Sequence, residues 1–178
     1  MEILHLEDSA NDAALAEALM RGEWPECRIH HVGTRADYET AIHRGDFDVI
    51  LSDYAMPDFD GLAALEIALS LRPEKPFIFM SGCLGEEHAI EALQSGAFDY
   101  VLKDRPGRLV PAIRQALARA EEQRRRRQAE DSLRENRERF RLITENVADL
   151  IAVFAPDGRR VYHNPAYQEL LGYAPDQP

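Results

Sequence analysis

The sequence predicts an α/β fold, in which a parallel sheet carries helices on both faces and is followed by a long helix. Five short apolar runs alternate with amphipathic stretches over roughly the first 115 residues. From Leu109 to about Leu150 the apolar spacing stays helical. Alternating strands and helices are typical of a sheet whose strands are all parallel and covered on both sides.

The five apolar runs are the predicted strands. The third is the strongest, because Phe47–Ser52 is almost continuously apolar and β-branched. Right-handed crossovers in a chain of this length favour the flavodoxin-like strand order 2-1-3-4-5. The other predicted strands are Ile3–Leu6, Arg28–Val32, Pro76–Met80 and Phe98–Leu102.

Helix boundaries follow from capping and breaker residues. Thr34 with Asp37 resembles a capping box in which Asp replaces the usual Glu. Glycines follow the apolar pattern at positions where a helix should stop. The predicted helices are Ala10–Arg21, a segment from Thr34 to near Gly45, Gly61–Leu71 and Glu86–Ser95, and Pro106 lies in the first turn of the last one.

The long C-terminal helix carries two apolar seams that are out of phase across Arg124–Arg127. We interpret it as one helix or coiled coil over 109–150 with a phase shift at the basic run. Two amphipathic helices joined by a polar linker are the alternative. The first seam is Leu109, Ile113, Ala116 and Ala120, and the second is Leu133, Phe140 and Val147 with Ile143 and Leu150.

Beyond Leu150 the pattern changes to a short hairpin. Ile151–Phe154 and Arg160–His163 are the predicted strands, and Pro156-Asp-Gly158 is the turn between them. A short helix, Ala166–Leu171, follows. We therefore divide the chain into a domain at 1–120, the long helix at 109–150 and a smaller part at 140–178.

Charge is distributed unevenly along the chain. Residues 1–104 carry 21 acidic and 7 basic side chains, whereas residues 105–178 carry 11 and 14. An acidic first domain argues against nucleic-acid binding. The N-terminus lacks a signal-peptide pattern and no stretch has the ~18 apolar residues of a membrane span, so we expect a cytoplasmic chain without a membrane segment.

Charged and hydroxyl side chains follow the predicted strands at one edge of the sheet. Glu7 and Asp8 follow the first strand, Asp53 the third, Ser81 the fourth and Lys103 the fifth. Carboxylates so close together repel one another unless a cation lies among them. Mg²⁺ suits this edge because it takes oxygen ligands from one or two carboxylates together with water and phosphate.

This arrangement suits transfer of a phosphoryl group to a carboxylate. Asp53 is the nucleophile, while Lys103 and Mg²⁺ stabilise charge on the phosphoryl oxygens. The Ser81 hydroxyl can donate to the new phosphoryl group, which makes the loop after strand four a switch.

Four segments together resemble the bacterial response-regulator receiver family over residues 1 to about 120. They are Ile3–Asp8, Ile50–Pro57 with Gly61, Phe79–Gly82 and Asp99–Lys103. The resemblance implies that Asp53 is phosphorylated by a histidine kinase or phosphotransfer protein. It implies that Asp8 is a direct metal ligand, that Glu7 is an outer-shell acid and that Ala55 binds the metal through its carbonyl. It also implies that Ser81, Gly82 and Lys103 contact the phosphoryl group or take part in the switch. Tyr100 would be the aromatic switch residue.

The segments Phe140–Ile151, Pro156–Gly158 and Tyr162–Tyr173 resemble the opening of a PAS sensor domain. We expect this part to be incomplete and to belong to a longer hybrid sensor protein. The effector would then be a histidine kinase or a cyclic-dinucleotide enzyme, and the long helix would join two copies as a homodimer.

Two other functions fit parts of the sequence. A Mg²⁺-dependent phosphohydrolase could use Asp53 as nucleophile, although Ala55 stands where a second acid would be expected. A flavodoxin-like cofactor binder should have a phosphate loop after strand one, where Glu7 and Asp8 would repel phosphate. We expect no enzyme activity on a separate substrate within these residues.

Overall fold

A computed structural model describes residues 1–57, 59–82 and 86–171. The chain divides into two compact units, Met1–Arg124 and Arg125–Pro178, and the two are described in turn. In the described part of the chain, no helix combines the length and apolarity that crossing a membrane requires.

The first unit is built on a five-stranded parallel sheet in the order β2-β1-β3-β4-β5, which confirms the predicted fold. The third strand begins at Val49, two residues later than predicted, although Phe47 already packs into the core. The strands are β1 (Glu2–Leu6), β2 (Arg28–Val32), β3 (Val49–Asp53), β4 (Phe77–Ser81) and β5 (Asp99–Leu102).

Helices connect the strands, and the first three begin at capped positions. Thr34 accepts a hydrogen bond from the backbone N–H of Asp37 at 3.2 Å and donates its hydroxyl to that carboxylate at 2.7 Å. Gly45 ends the same helix in the left-handed conformation with φ of 71°. The helices are α1 (Ala10–Glu23), α2 (Arg35–Arg44), α3 (Gly61–Leu71), α4 (Glu86–Gln94) and, after a 3-10 turn at Pro106–Arg108, α5 (Leu109–Glu145).

Two apolar layers cover the sheet, because successive strand residues point to opposite faces. On one face Leu4 and Leu6 belong to a cluster with residues of α2, α3 and α4. On the other face Ile3 belongs to a cluster with residues of α1 and the first turns of α5. By the same alternation, His5 and Glu7 lie on the Ile3 face and are 1% exposed.

Helix α5 is continuous through Arg124–Arg127, so the two-helix alternative is wrong at that run. It ends at Glu145 rather than near Leu150. Every residue from 122 to 143 is exposed, and ion pairs between adjacent turns support this stretch. They include Arg126–Glu130, Arg134–Glu138 and Glu135–Arg139.

The second unit contains the predicted hairpin, formed by antiparallel β6 (Ala152–Phe154) and β7 (Arg160–His163), and then α6 (Pro165–Leu171). Asn164 is fully buried between β7 and α6. Its Nδ2 donates to the carbonyls of Thr144 and Asp149 at 3.1 and 2.9 Å, and its Oδ1 accepts from the N–H of Ile151 at 3.0 Å. The end of the predicted PAS-like segment, 172–178, lies outside the described residues.

Candidate functional site

The carboxyl ends of the strands bring the predicted side chains to one edge of the sheet. Asp53 is the last residue of β3 and pairs in register with Met80 of β4. Ser81 is the last residue of β4 and pairs with Leu102, directly before Lys103. Glu7 directly follows β1, and its backbone N–H donates to Val32 at the end of β2.

Lys103 binds three carboxylates at this edge. Its Nζ lies 2.8 Å from Glu7 Oε2, 2.6 Å from Asp12 Oδ2 and 2.7 Å from Asp53 Oδ2. Burial by itself lowers the pKa of Lys103, but the bonds to Asp12 and Asp53 and the nearby Glu7 carboxylate outweigh it and hold that pKa above its usual range. Lys103 is therefore a fixed positive charge at neutral pH.

Asp12, in the first turn of α1, is the member of this cluster that the sequence analysis missed. The sequence does contain a signal for its role. The helix that follows β1 begins at the same sheet edge as Glu7, so an acid in its first turn lies near that edge. The sequence pattern alone assigns Asp12 to the amphipathic helix Ala10–Arg21.

Glu7 is the most deeply buried of the three acids. Its Oε1 accepts a hydrogen bond from the N–H of Ser9 at 3.0 Å. Its Oε2 forms the 2.8 Å ion pair with Nζ of Lys103 and has no further hydrogen-bond donor among the described residues. Burial raises the pKa of Glu7 above its usual value, against the opposing effect of Lys103.

Asp53 is held by contacts on both of its oxygens. Oδ2 accepts from Lys103, and Oδ1 accepts from the backbone N–H of Ala55 at 3.2 Å. Ala55 therefore lies beside the carboxylate, as expected for the loop after β3. Asp8, in contrast, is exposed and makes no ion pair or side-chain hydrogen bond with the described residues.

The acidic cluster fits a hard divalent cation such as Mg²⁺. One carboxylate oxygen each from Glu7, Asp12 and Asp53 lies within 4.8 Å of the others. Three acids face one ammonium group, which leaves an excess of negative charge when all of them are ionised. Carboxylate oxygens are the ligands that suit Mg²⁺ in this position.

Gly61, at the start of α3, passes unusually close to the backbone that carries Asp53. A Cβ at this position would lie 2.6 Å from the Asp53 carbonyl oxygen and 2.8 Å from that of Tyr54. Real Cβ atoms do not approach backbone oxygens this closely, so only glycine fits without moving the end of β3.

The predicted switch residues lie on β4 and β5 or directly after them. Ser81 is 1% exposed at the end of β4, and Gly82 follows it at the surface. Tyr100 is buried, with its ring centroid 6.0 Å from that of Tyr54 and 6.4 Å from that of Phe79. Cys83, which the sequence places two residues after Ser81, lies outside the described residues.

Tyr54, the residue directly after Asp53, contacts α4, which the sequence did not reveal. Its hydroxyl donates to Glu91 Oε2 at 3.0 Å, and its ring lies 5.0 Å from that of His88. Burial, with the Glu91 carboxylate as acceptor, raises the pKa of Tyr54 to about 12. The hydroxyl therefore stays protonated at neutral pH and can act as a donor to α4.

Comparison with known proteins identifies the family in which this site occurs. The family model for the response regulator receiver domain matches residues 3–114. The chain belongs to the response regulator receiver family. Membership favours a phosphoacceptor role in two-component signalling over the phosphohydrolase and the cofactor binder, neither of which the comparisons support.

Curated relatives share this receiver region. The transcriptional regulatory protein ZraR of Salmonella typhimurium is 31% identical over 123 residues, which are 68% of this chain and 27% of that protein. A protein-glutamate methylesterase/protein-glutamine glutaminase of Rhizobium johnstonii is 38% identical over 112 residues, covering 61% of this chain and 32% of that protein. The chain thus spans about a third or less of these relatives' lengths.

Solved receiver structures have the same fold. The signal receiver domain of a LuxO repressor protein from Vibrio parahaemolyticus superposes with a TM-score of 0.62 at 26% identity, covering 68% of this chain and 93% of that one. A CheY-like receiver from Methanospirillum hungatei gives 0.61 at 25% identity, covering 68% and 97%. Separately, a PAS domain model matches residues 138–178, as the sequence analysis predicted.

Proposed function

We propose that the receiver accepts a phosphoryl group on Asp53 from the phosphohistidine of a kinase or phosphotransfer protein. The Lys103 bond to Asp53 supports this proposal most directly, because it places a fixed cation at the attacking carboxylate. A carboxylate oxygen of Asp53 forms the new bond to phosphorus, and the donor leaves with the electrons of the bond that breaks.

The residues around Asp53 have separate proposed roles. Glu7, Asp8 and the carbonyl of Ala55 hold Mg²⁺ together with Asp53, and the ion supplies positive charge for the phosphoryl oxygens. Lys103 contacts one of those oxygens, and Ser81 with Gly82 receives another. Tyr100 then follows the movement of Ser81.

The phosphorylated module would pass its signal through α5 to a PAS domain and an effector. Exposed apolar residues on α5, namely Leu133, Phe140 and Ile143, support a parallel homodimer through this helix. We assign 1–120 to the receiver, 109–150 to the signalling helix and 140–178 to the start of the PAS domain. A kinase-linked module of this kind acts in the cytoplasm, where we place it.

Incubation with acetyl phosphate and Mg²⁺ tests the central claim. Intact-mass spectrometry should show one added phosphoryl group on the wild type and none on Asp53→Asn. The exposed Asp46→Asn variant, which removes the same charge away from the site, should be modified like the wild type. An unmodified wild type, or equal labelling of Asp53→Asn, contradicts the proposal.

A further inference from the structure

Lys103 cannot keep all three of its carboxylate partners once a divalent cation lies among them. Its Nζ lies within 2.6–2.8 Å of oxygens from Glu7, Asp12 and Asp53. A cation that takes oxygens from the same cluster repels the ammonium group and competes for the same lone pairs.

Asp12 differs from the other two partners in burial. Its side chain is 37% exposed, against 1% for Glu7 and 10% for Asp53. It also belongs to α1, and its carboxylate makes no hydrogen bond to a described residue other than Lys103. Asp12 is therefore the partner best able to stay with the ammonium group when the cation enters.

We propose that Asp12 is a positioning residue. When Mg²⁺ binds, Asp12 keeps the Lys103 amine as its partner, beside the cluster and away from the oxygens of Glu7 and Asp53 that bind the ion. Without Asp12, the amine has only the two buried carboxylates as partners and competes with the ion for them. The inference rests on the proposed Mg²⁺ site, and it assigns a role to a residue that does not lie at the end of a strand.

A double-mutant cycle on Mg²⁺ affinity tests this role, with isothermal titration of MgCl₂ into the full chain as the readout. Asp12→Asn should weaken Mg²⁺ binding by about five- to tenfold when Lys103 is present, a coupling of ordinary size for residues in contact. In the Lys103→Met background the same substitution should weaken binding by less than about twofold, because there is no amine to draw aside.

Glu17→Gln is the matched control, since it removes one negative charge from the exposed face of the same helix. It should leave the affinity close to that of the wild type. An equal loss from Asp12→Asn in both backgrounds would mean that Asp12 acts on the ion directly, and no loss in either would mean that it has no role. Both results overturn the inference.

The wild-type titration separates this inference from the proposed function. If the wild type binds no Mg²⁺, the proposed metal site fails. If the wild type binds and the cycle shows no coupling, only the role of Asp12 fails. Thermal unfolding of each variant without metal confirms that the affinities compare folded proteins.

Discussion

The ammonium group of Lys103 lies 2.7 Å from Oδ2 of Asp53, a residue 50 positions earlier in the chain. The same group is the positive charge within hydrogen-bonding distance of Glu7 and Asp12. Among the described residues, one amine therefore supplies the counter-charge for all three acids.

Replacing Lys103 with Met should destabilise the receiver. Glu7 and Asp53 are almost fully buried and would lose their counter-charge, so we expect the free energy of unfolding at pH 7 to fall by about 3 kcal/mol without Mg²⁺. Millimolar Mg²⁺ should recover part of the loss, because the ion binds only the folded cluster. Urea denaturation with and without MgCl₂ measures both effects.

Lys75→Met provides the control, since Lys75 is the other lysine of the chain. Its Nζ lies over the Phe47 ring at 5.6 Å, a contact worth on the order of 1 kcal/mol at a partly exposed site. If both substitutions cost the same, or if Mg²⁺ stabilises both variants equally, Lys103 is not the counter-charge of the cluster.

Gly61→Ala should move the backbone that carries Asp53. The added Cβ has backbone oxygens of Asp53 and Tyr54 as its neighbours, so relief requires a backbone shift that costs about 1–3 kcal/mol. We expect a lower melting temperature and slower phosphorylation by acetyl phosphate. Gly22→Ala, where nothing lies within 4 Å, should instead be neutral or slightly stabilising. Wild-type behaviour of Gly61→Ala would contradict the close approach.

His5 should make the receiver sensitive to acid. Burial, together with the charges of His31 and Lys103, lowers the pKa of His5 from 6.5 to about 3. Between these values the unfolded chain binds a proton that the folded chain refuses, so stability falls as the pH drops below 6.5. The loss should reach about 2 kcal/mol at pH 5 relative to pH 7.

His5→Leu isolates this contribution. The buried Nε2 of His5 has no hydrogen-bond partner among the described residues, so leucine should stabilise the fold at pH 7 by about 1 kcal/mol and by more at pH 5. The raised pKa of Glu7 acts with the opposite sign, but it is present in both proteins. His30→Gln, at an exposed position on β2, should keep the wild-type slope, and an unchanged slope in His5→Leu would refute the assignment.

Asn164 should be essential for the second unit. Its side-chain amide bonds backbone groups directly before the hairpin and in the last turn of α5. Asn164→Ala leaves these buried groups unpaired, which should cost about 2–3 kcal/mol. Hydrogen exchange should show lost protection at Ile151, while Asn136→Ala on the exposed part of α5 should leave that amide unchanged. Retained protection in Asn164→Ala would rule out this role.

The sequence was sufficient for the sheet because apolar runs and capping residues mark its elements directly. Gly61–Leu71 and Arg28–Val32 have the same bounds in the structure as in the prediction. Strand ends also identify Asp53 and Lys103, since parallel strands place their carboxyl ends on one edge.

Contacts between distant side chains could not be obtained in this way. Asp12 enters the site because the first turn of α1 carries its carboxylate to Lys103. The hydrogen bond from Tyr54 to Glu91 depends on where α4 packs, which the sequence pattern does not specify. On α5, the exposure of Leu133 and Phe140 leaves the coiled coil as a prediction, because a seam needs a partner that one chain does not supply.

The burial of Glu7 beneath Lys103 has a consequence for attempts to engineer this module. Neutralising Glu7 would be an obvious way to make the resting protein more heat-resistant, because it removes a desolvated charge. The same change would take away an oxygen donor and weaken the attraction for the metal. Thermostability and responsiveness are therefore opposed at this position, and selection for one should erode the other.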